Sequence, residues 1–470
     1  MKRLLSGVLA LLLCIEVLSG CGKKENGVND SVDEMARREI VELTMYIPGT
    51  TSENEQDQYA NDSCKQQILT QVEHFMYDMA REDINEVDIR IKVEEKLFPA
   101  GSPENEQVKR DILTGQGPDL FYFLGGLTSP FQYESGLADL EPFFENSERV
   151  KSDDLNPTVF QAGRINGTLK TAVCSYAAPV LATSEESLEA NGLGALTCAE
   201  YGSLNSMLET PQIKERGDSF TALQSEDADL LRIHSQSYHL LDLLFMGQCV
   251  ESYFDYNTAS VDFPDTFASF YEDYQELLSR EDVRMTAEEK REFLQNHPSS
   301  EDTQKTGDSL FRLQSSLKIW EEEDLTPTGV MLRMPGETGN FAFPVDMVSI
   351  SSTVKRERQD RAFQFIESML SPDSNGSYPE YFMNFHISNT AREKAEQGTR
   401  KYYERQGGKM EDIVPWLVWY YDQVEQISSC KIFDEYYYTQ VFQPIMEDEG
   451  RPLEQRVREL ENRTSLYLKE

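Results

Sequence analysis

The residues that most often do chemistry in proteins lack the spacing here that catalysis or metal binding requires. Five histidines are scattered along the chain, and His234 and His239 lie five apart, so one helix face would not present both as zinc ligands. No Gly-x-Ser-x-Gly elbow, His-Glu-x-x-His pair or P-loop occurs. With 83 Asp and Glu residues, any acidic pair could be nominated for glycoside hydrolysis, so such pairs carry no information. We expect no catalytic residue, metal or cofactor.

One serine has neighbours that suggest a nucleophile. Gly307-Asp308-Ser309-Leu310 has the residue order of the GDSL esterase motif. In those enzymes the serine follows a strand near the start of the domain. Here it follows a charged loop late in the chain and leads into Phe311-Arg312-Leu313, which we interpret as helical. We therefore regard the match as a coincidence, because a motif counts only in its structural context.

The first 38 residues have the features of an export signal and a tether. Lys2 and Arg3 precede a short apolar run over residues 4–18, which is below the length of about 20 residues that a membrane span needs. Leu18-Ser19-Gly20-Cys21 resembles the lipobox of bacterial lipoproteins. That resemblance implies cleavage after residue 20, lipidation of Cys21 and a polar tether over residues 21–38. An ordinary signal peptide cleaved nearby is the alternative.

The other cysteines do not form a recognisable site. Of seven in the chain, the five beyond Cys21 are odd in number, widely spaced and without a Cys-x-x-Cys pair. We expect most of them to be buried thiols. A disulfide between two of them is the alternative, and the sequence does not assign the pair. These five cysteines are Cys64, Cys174, Cys198, Cys249 and Cys430.

Charge and composition limit the classes of partner. The formal net charge is −39, which argues against nucleic acid as a partner because nucleic acid requires a basic footprint. A hydrophobic content of 39% is enough to form hydrophobic cores. About 450 residues remain after cleavage, which is the length of two or three domains.

Hydrophobic periodicity predicts alternating strands and helices in the first third of the chain. Apolar residues alternate over 41–47 and 87–93, and residues 120–124 form an apolar run between Gly-Pro and Gly-Gly turns. Helical spacing lies between these strands, over 68–79 and around Val108 and Ile112. This order predicts a parallel sheet covered by helices.

The later part of the chain is predicted to be helical with a return of strands. We predict strands over 167–173, 179–182, 329–334 and 341–351. We predict helices over 198–209, 227–246, 265–280, 358–370, 411–429, 434–448 and 452–469. A chain that leaves one sheet and returns to it late indicates two α/β lobes.

Five stretches, in order, resemble the family 1 extracellular solute-binding proteins of bacterial ABC importers. Residues 112–120 (ILTGQGPDL) match the glycine turn and Pro-Asp entry to the third strand, and residues 136–144 (GLADLEPFF) match the segment after it. Residues 166–169, 341–371 and 460–468 match later strands and helices. The sequence departs from the family at residues 170–174, where a Tyr and a Pro-containing strand are usual.

The resemblance implies a type II periplasmic-binding-protein-like α/β fold, with two α/β lobes, a hinge and an interlobe cleft. We predict lobe 1 over 39–174 and 320–355 and lobe 2 over 175–319 and 356–470. The implied function is capture of a small solute, a sugar in most relatives, for delivery to ABC permease subunits. The implied protein is a monomer on the outer face of the cytoplasmic membrane, held only by its lipid. A sensor or adhesin of the same fold, or an anchored glycan hydrolase, is the alternative.

Aromatic residues are the candidates for contact with such a solute, because sugar rings present C–H faces that lie on aromatic rings. The resemblance places Tyr46 near a strand end, Trp320 near a crossing between lobes, and Tyr176 and Phe341 on crossing or return segments. Trp416, Trp419 and Tyr420 share one face of a predicted helix. That face is either core or part of the site. We predict Tyr46, Tyr176, Trp320, Phe341 and Trp416 as ligand-binding residues.

Overall fold

The computed structural model describes most of the chain beyond residue 38. The described residues are 39–49, 55–81, 87–98, 102–125, 128–184, 188–189, 192–193, 206–207, 209–211, 223–225, 245–255, 258, 260–279, 311–314, 329–333, 340–371, 384–405, 407–413 and 415–469. The larger of two compact units consists of Leu43–Phe75 and Ile91–Glu470, and the smaller includes Met76–Arg90. None of the described helices is both long and apolar enough to cross a membrane.

Strands and helices alternate along the described chain. The strands are β1 Glu39–Pro48, β2 Val87–Leu97, β3 Leu120–Leu124, β4 Ala172–Val173, β5 Ser175–Ala177, β6 Val180–Ser184, β7 Leu223–Ser225, β8 Phe311–Gln314, β9 Gly329–Arg333, β10 Asn340–Pro344, β11 Asp346–Ile350, β12 Phe385–His386 and β13 Ile427–Cys430, besides two short hairpins. The α-helices are α1 Glu55–Arg81, α2 Pro103–Leu113, α3 Glu141–Asn146, α4 Pro157–Ala162, α5 Phe267–Ser279, α6 Arg356–Leu370, α7 Asn389–Arg405, α8 Met410–Ile413, α9 Pro415–Glu425, α10 Glu435–Tyr437, α11 Gln443–Met446 and α12 Leu453–Tyr467.

The first sheet has the strand order β2-β1-β3-β11-β4. β1 and β3 are parallel, whereas β11 is antiparallel to β3. All five side chains of β3 are buried, as expected for a strand covered on both faces. Phe75 of α1 packs edge-on against Phe365 of α6, so helices from distant parts of the chain cover this sheet together.

The second sheet has the order β12-β5-β10-β13, and a third joins β9, β6, β8 and β7. In the second sheet β10 is antiparallel to β5 and parallel to β13. Tyr420 of α9 is buried and donates a 2.9 Å hydrogen bond to the carbonyl of Ala178, just after β5. The four strands of the second sheet come from four separate parts of the sequence.

One continuous antiparallel pair belongs to both sheets. β4 pairs with β11 in the first sheet and β5 pairs with β10 in the second. Between these pairs, the amide of Val345 donates to the carbonyl of Ser175 at 2.9 Å, and that of Cys174 to the carbonyl of Asp346 at 2.7 Å. We call residues 172–177 and 343–348 the crossing strands.

A buried carboxylate holds the crossing strands to β3. Asp346 accepts a 2.5 Å hydrogen bond from the Tyr122 hydroxyl and another from the Ser175 hydroxyl. Burial raises the pKa of Asp346, while the two hydroxyl donors oppose that rise. Gly125 follows β3 and donates to the carbonyl of Val345 at 2.7 Å, and a Cβ at this position would overlap the backbone of Pro344. The end of β3 therefore lies directly against the crossing.

Asp119 fixes the entry to β3. Arg358 of α6 contacts both of its carboxylate oxygens at 2.6 Å, and the amide of Thr44 on β1 donates to it at 2.8 Å. The carbonyl of Asp119 accepts from the amide of Ser351, next to β11. A single buried acid thus ties together two strands, a helix and the segment after β11.

Most predicted elements are present, with informative exceptions. The strands over 41–47, 87–93 and 120–124 and the helices over 265–280, 358–370 and 452–469 are confirmed. The helix predicted over 411–429 is wrong at its end, because Ile427–Cys430 pairs with β10 as a strand. The helical interpretation of residues 311–313 is also wrong, since they lie in β8, which pairs with β6. The helix predicted over 227–246 and the Gly307–Leu310 motif lie almost wholly outside the described residues.

We expect Asp119→Asn to lower the free energy of unfolding by about 2–3 kcal/mol, because the substitution removes a bidentate, charge-assisted contact to a buried group. The matched control is Asp360→Asn. It breaks the exposed Arg356–Asp360 pair of the same helix and should cost less than about 0.5 kcal/mol. Urea denaturation compares the two variants, and equal losses would contradict the role given to Asp119.

Tyr122→Phe should destabilise the protein by about 1–3 kcal/mol, because the buried Asp346 carboxyl loses a donor. In a double-mutant cycle with Asp346→Asn, the two losses should fall short of additivity by more than about 0.5 kcal/mol. Urea denaturation of all four proteins gives the coupling energy. Full additivity would show that the two side chains do not interact.

Candidate functional site

A pocket lies where two parallel strands of the second sheet end. β10 and β13 run parallel, so their carboxyl ends meet at the same edge of the sheet. At that edge the chain passes from β10 through Val345 into β11 of the first sheet. Ligands of open α/β sheets bind at the carboxyl ends of strands, which makes this edge the expected position of a site.

The pocket is small, with a cavity volume of about 10 Å³, roughly the room of one water, inside about 290 Å³ of empty space that extends into open solvent. It combines three phenylalanine rings with one acidic and one basic side chain. The residues that line it, called the crossing pocket below, are Gly247, Glu251, Phe341, Phe343, Pro344, Lys431 and Phe433.

The aromatic wall comes from β10 and from the loop after β13. Phe341 and Phe343 are two apart on β10, so their rings project from the same face of the strand. Gly247 lies in a π-helix, Met246–Val250, and a Cβ at this position would overlap the Phe341 ring. The absence of a side chain lets the π-helix lie against this wall, and π-helices often occur at functional sites.

Glu251 follows this π-helix directly and is the acidic residue of the lining. The residue is 1% exposed, and the hydrogen bond that the described residues give its carboxyl comes from the amide of Asp434 at 3.4 Å. Burial, followed by the nearby Asp434 charge, raises the pKa of Glu251 to about 8, while the hydrogen bond from the Asp434 amide and the Lys431 charge act in the opposite direction. The carboxyl of Glu251 is therefore mostly protonated at neutral pH.

Asp434 lies behind Glu251 and is 2% exposed. The Tyr467 hydroxyl of α12 donates to it at 2.5 Å, and the Tyr437 amide of α10 donates at 3.1 Å. Burial raises the pKa of Asp434 to about 6, against the lowering effect of these donors. The C-terminal helix therefore helps to position the loop that carries Lys431 and Phe433.

The structure brings only some of the predicted ligand residues near this pocket. Phe341 lines it. Tyr176 lies one strand away, 0% exposed and packed on Phe385. Tyr46 lies on β1 of the first sheet, 7% exposed and edge-on to Phe121. Trp416 is in α9 without a described side chain, and Trp320 is outside the described residues. The ligand contacts proposed for all five residues stay predictions.

The described cysteines are consistent with buried thiols rather than bridges. Cys174 and Cys430 are buried, Cys249 is half-buried, and all three are free. Burial raises the pKa of the Cys174 and Cys430 thiols, so they are protonated at neutral pH. In the part of the chain that the structure describes, no group of three His, Cys, Asp or Glu side chains could hold a metal ion.

Sequence reasoning missed most of the crossing pocket for identifiable reasons. Phe343 could have been found, because it alternates with Phe341 on one strand face. Lys431 and Phe433 were not considered, because residues up to 429 were predicted as a helix and the strand that precedes these two residues was not recognised. Glu251 follows a π-helix, which has no simple hydrophobic period, so its position became visible only in the fold.

Comparisons of structure identify the fold of this chain, whereas comparisons of sequence identify no family. No protein-family model matches this chain, and no curated protein matches it at a significant level.

Solved structures match over nearly their whole length. The sugar-binding protein MalE from Xanthomonas citri aligns with a TM-score of 0.57 and 11% identity over 91% of this chain and 98% of its own. An ABC substrate-binding protein from Listeria monocytogenes in complex with cycloalternan aligns with a TM-score of 0.55 and 12% identity. The alignment covers 92% of this chain and 99% of that protein. UgpB from Mycobacterium tuberculosis in complex with glycerophosphocholine aligns with a TM-score of 0.51 and 13% identity. The alignment covers 91% of this chain and 98% of UgpB. The chain thus has the fold of periplasmic solute-binding proteins, with two α/β lobes.

Proposed function

We propose that this protein is a lipid-anchored, extracytoplasmic solute-binding protein that captures a carbohydrate and delivers it to an ABC transporter. The observation that carries the proposal is the crossing pocket, which combines three phenylalanines, one buried glutamate and one half-exposed lysine at the strand ends of a two-lobed fold. The solved neighbours support it, since one is a sugar-binding protein and another is an ABC substrate-binding protein in complex with cycloalternan.

The chemistry of the pocket suits a sugar. Phenyl rings offer apolar faces for the C–H side of a pyranose, while Glu251 and Lys431 offer hydrogen-bonding groups for hydroxyls. A ligand hydroxyl left unpaired on burial costs about 1–3 kcal/mol, so the polar groups decide which solute is retained. Small-molecule sites typically combine an apolar lining with a few convergent polar groups.

The crossing strands suit a hinge. Two adjacent strands connect the sheets at the pocket, and closure of two lobes needs only a few torsion changes in such connections. A solute seated at this edge would be trapped by closure. The permease subunits would then recognise the closed form, and release would leave the solute chemically unchanged.

A carbohydrate that binds the purified protein should raise its stability. At 100 times the dissociation constant, the gain should be about 2.7 kcal/mol. A thermal-shift screen with mono- and oligosaccharides detects this gain, and chromatography of the recovered sugar tests whether it is unchanged. A chemically altered sugar would instead indicate a hydrolase.

Phe433→Ala should weaken binding of a sugar found in that screen by about tenfold, because a stacking surface is lost. Phe433 is only half-buried, so the variant should fold. The matched control is Tyr402→Ala, which removes an aromatic ring that is 53% exposed on α7 and away from the pocket. If both variants bound the sugar with equal affinity, the crossing pocket would not be part of the binding site.

The anchor is proposed from the first residues alone. Cys21→Ser should release the protein from the membrane fraction, because the thiol that carries the lipid is absent. Immunoblotting of membrane and soluble fractions, with mass spectrometry of the wild-type N-terminus, measures this. An unmodified wild-type N-terminus that begins elsewhere would contradict the anchor.

A further inference from the structure

His386 lies where the chain passes from the first sheet to the second. The helix α6 packs on the first sheet, where its Phe365 ring contacts Phe75 of α1. The next described strand along the chain, β12, belongs to the second sheet, and there His386 pairs with Ser175 of the crossing strands. His386 is therefore placed on a third connection between the sheets, beside the two crossing strands.

Backbone groups occupy both ring nitrogens of His386. Nε2 lies 2.9 Å from the carbonyl oxygen of Met369, in the last turn of α6, and Nδ1 lies 3.0 Å from the amide nitrogen of Ser388. A carbonyl only accepts and an amide N–H only donates, so the ring carries its proton on Nε2 and accepts at Nδ1. Only the neutral form of the ring can make both hydrogen bonds.

The residue that donates to Nδ1 belongs to a wider network. Ser388 is inaccessible to solvent, and its hydroxyl donates to Asp154 at 2.5 Å and accepts from the amide of Ala391 in the first turn of α7. The neighbouring amide of Ile387 donates at 3.1 Å to the carbonyl of Cys174, within the crossing strands. A shift of Ser388 would therefore reach α7 and the crossing strands together.

The elements around the imidazole ring contribute one charge that acts on it, the carboxylate of Asp154. The buried Glu367 of α6 accepts from a serine hydroxyl, and Arg392 of α7 pairs with Glu425 at 3.2 Å. On β5, burial raises the pKa of Tyr176, so its hydroxyl stays protonated in neutral and acidic solution. The titration that changes the described contacts of the ring in mild acid is therefore its own.

We infer that His386 is a pH-sensitive link between α6 and β12, and that mild acid releases it. A protonated ring carries a hydrogen on Nδ1, which faces the N–H of Ser388, so that hydrogen bond breaks. Its loss frees the connection next to the crossing strands and allows the two lobes a wider range of positions. The inference concerns lobe movement, so it goes beyond the proposed function and does not depend on which solute binds.

The pH window follows from the direction of the pKa shift. Burial lowers the pKa of His386 below its ordinary value of about 6.5, while backbone hydrogen bonding at Met369 and Ser388 and the Asp154 charge act in the opposite direction. Because the unfolded chain binds the proton more readily, the link contributes its full stability above about pH 6.5. That contribution is lost as the pH falls through the lowered value of the folded protein.

The first test is nitrogen NMR of the histidine rings in the purified wild-type protein. At neutral pH the His386 ring should be the tautomer with its proton on Nε2, and its titration midpoint should lie below about 6.5. A ring that carries its neutral proton on Nδ1, or one that titrates above this value, would overturn the inference without any substitution.

The second test is hydrogen exchange of residues 385–391, corrected for the intrinsic effect of pH on amide exchange. From about pH 7.5 to about pH 5.0 the wild type should lose about tenfold of its protection in this segment relative to α6, because one buried hydrogen bond is lost. Small-angle scattering of the same samples should show a broader distribution of interatomic distances. His386→Gln should remove the pH-dependent loss, because the amide side chain does not titrate.

His74→Gln is the matched control, since His74 is exposed on α1 and its replacement should leave the pH response of the wild type intact. Circular dichroism verifies that both variants fold. A wild type whose protection does not change with pH, or a loss that persists in His386→Gln, would overturn the link. Neither result would affect the proposed capture of a solute, which the sugar screen tests separately.

Discussion

The organisation of this protein depends on one antiparallel pair of strands that two sheets share. Residues 172–177 and 343–348 pair across the boundary between the sheets. Asp346 fixes that pair to β3 through the hydroxyls of Tyr122 and Ser175. Because Asp346 is buried, its carboxyl requires these donors, and the crossing has little freedom to shift in register. Gly125 brings the end of β3 against the same point.

If the crossing pocket holds the solute, as we propose, this constraint also determines the position of the site. β10 must end where the crossing begins, so its last side chains, Phe343 and Pro344, lie at the boundary between the sheets. The parallel strand β13 ends at the same edge and delivers Lys431 and Phe433. Glu251 comes directly after the π-helix beside them and lines the same pocket.

The sequence allowed the layered part of the fold to be predicted and not the assembly of the pocket. Alternation over residues 41–47 and the apolar run 120–124 report burial directly, because side-chain period follows from strand geometry. Family resemblance supplied the two-lobed arrangement, and Phe341 was chosen as a site residue on that basis. Ile427–Cys430 could not be recognised, because a four-residue strand after a helix is defined by its pairing with β10 rather than by its own pattern. Glu251 likewise reaches the crossing pocket only through long-range packing, in which its carboxyl accepts from the Asp434 amide.

A crystal structure of the protein with a bound solute tests the central claim most directly. The account predicts density for an intact solute at the carboxyl ends of β10 and β13, against Phe341, Phe343 and Phe433 and within hydrogen-bonding distance of Glu251. A solute bound elsewhere with the crossing pocket empty, or a hydrolysed product in its place, would contradict it.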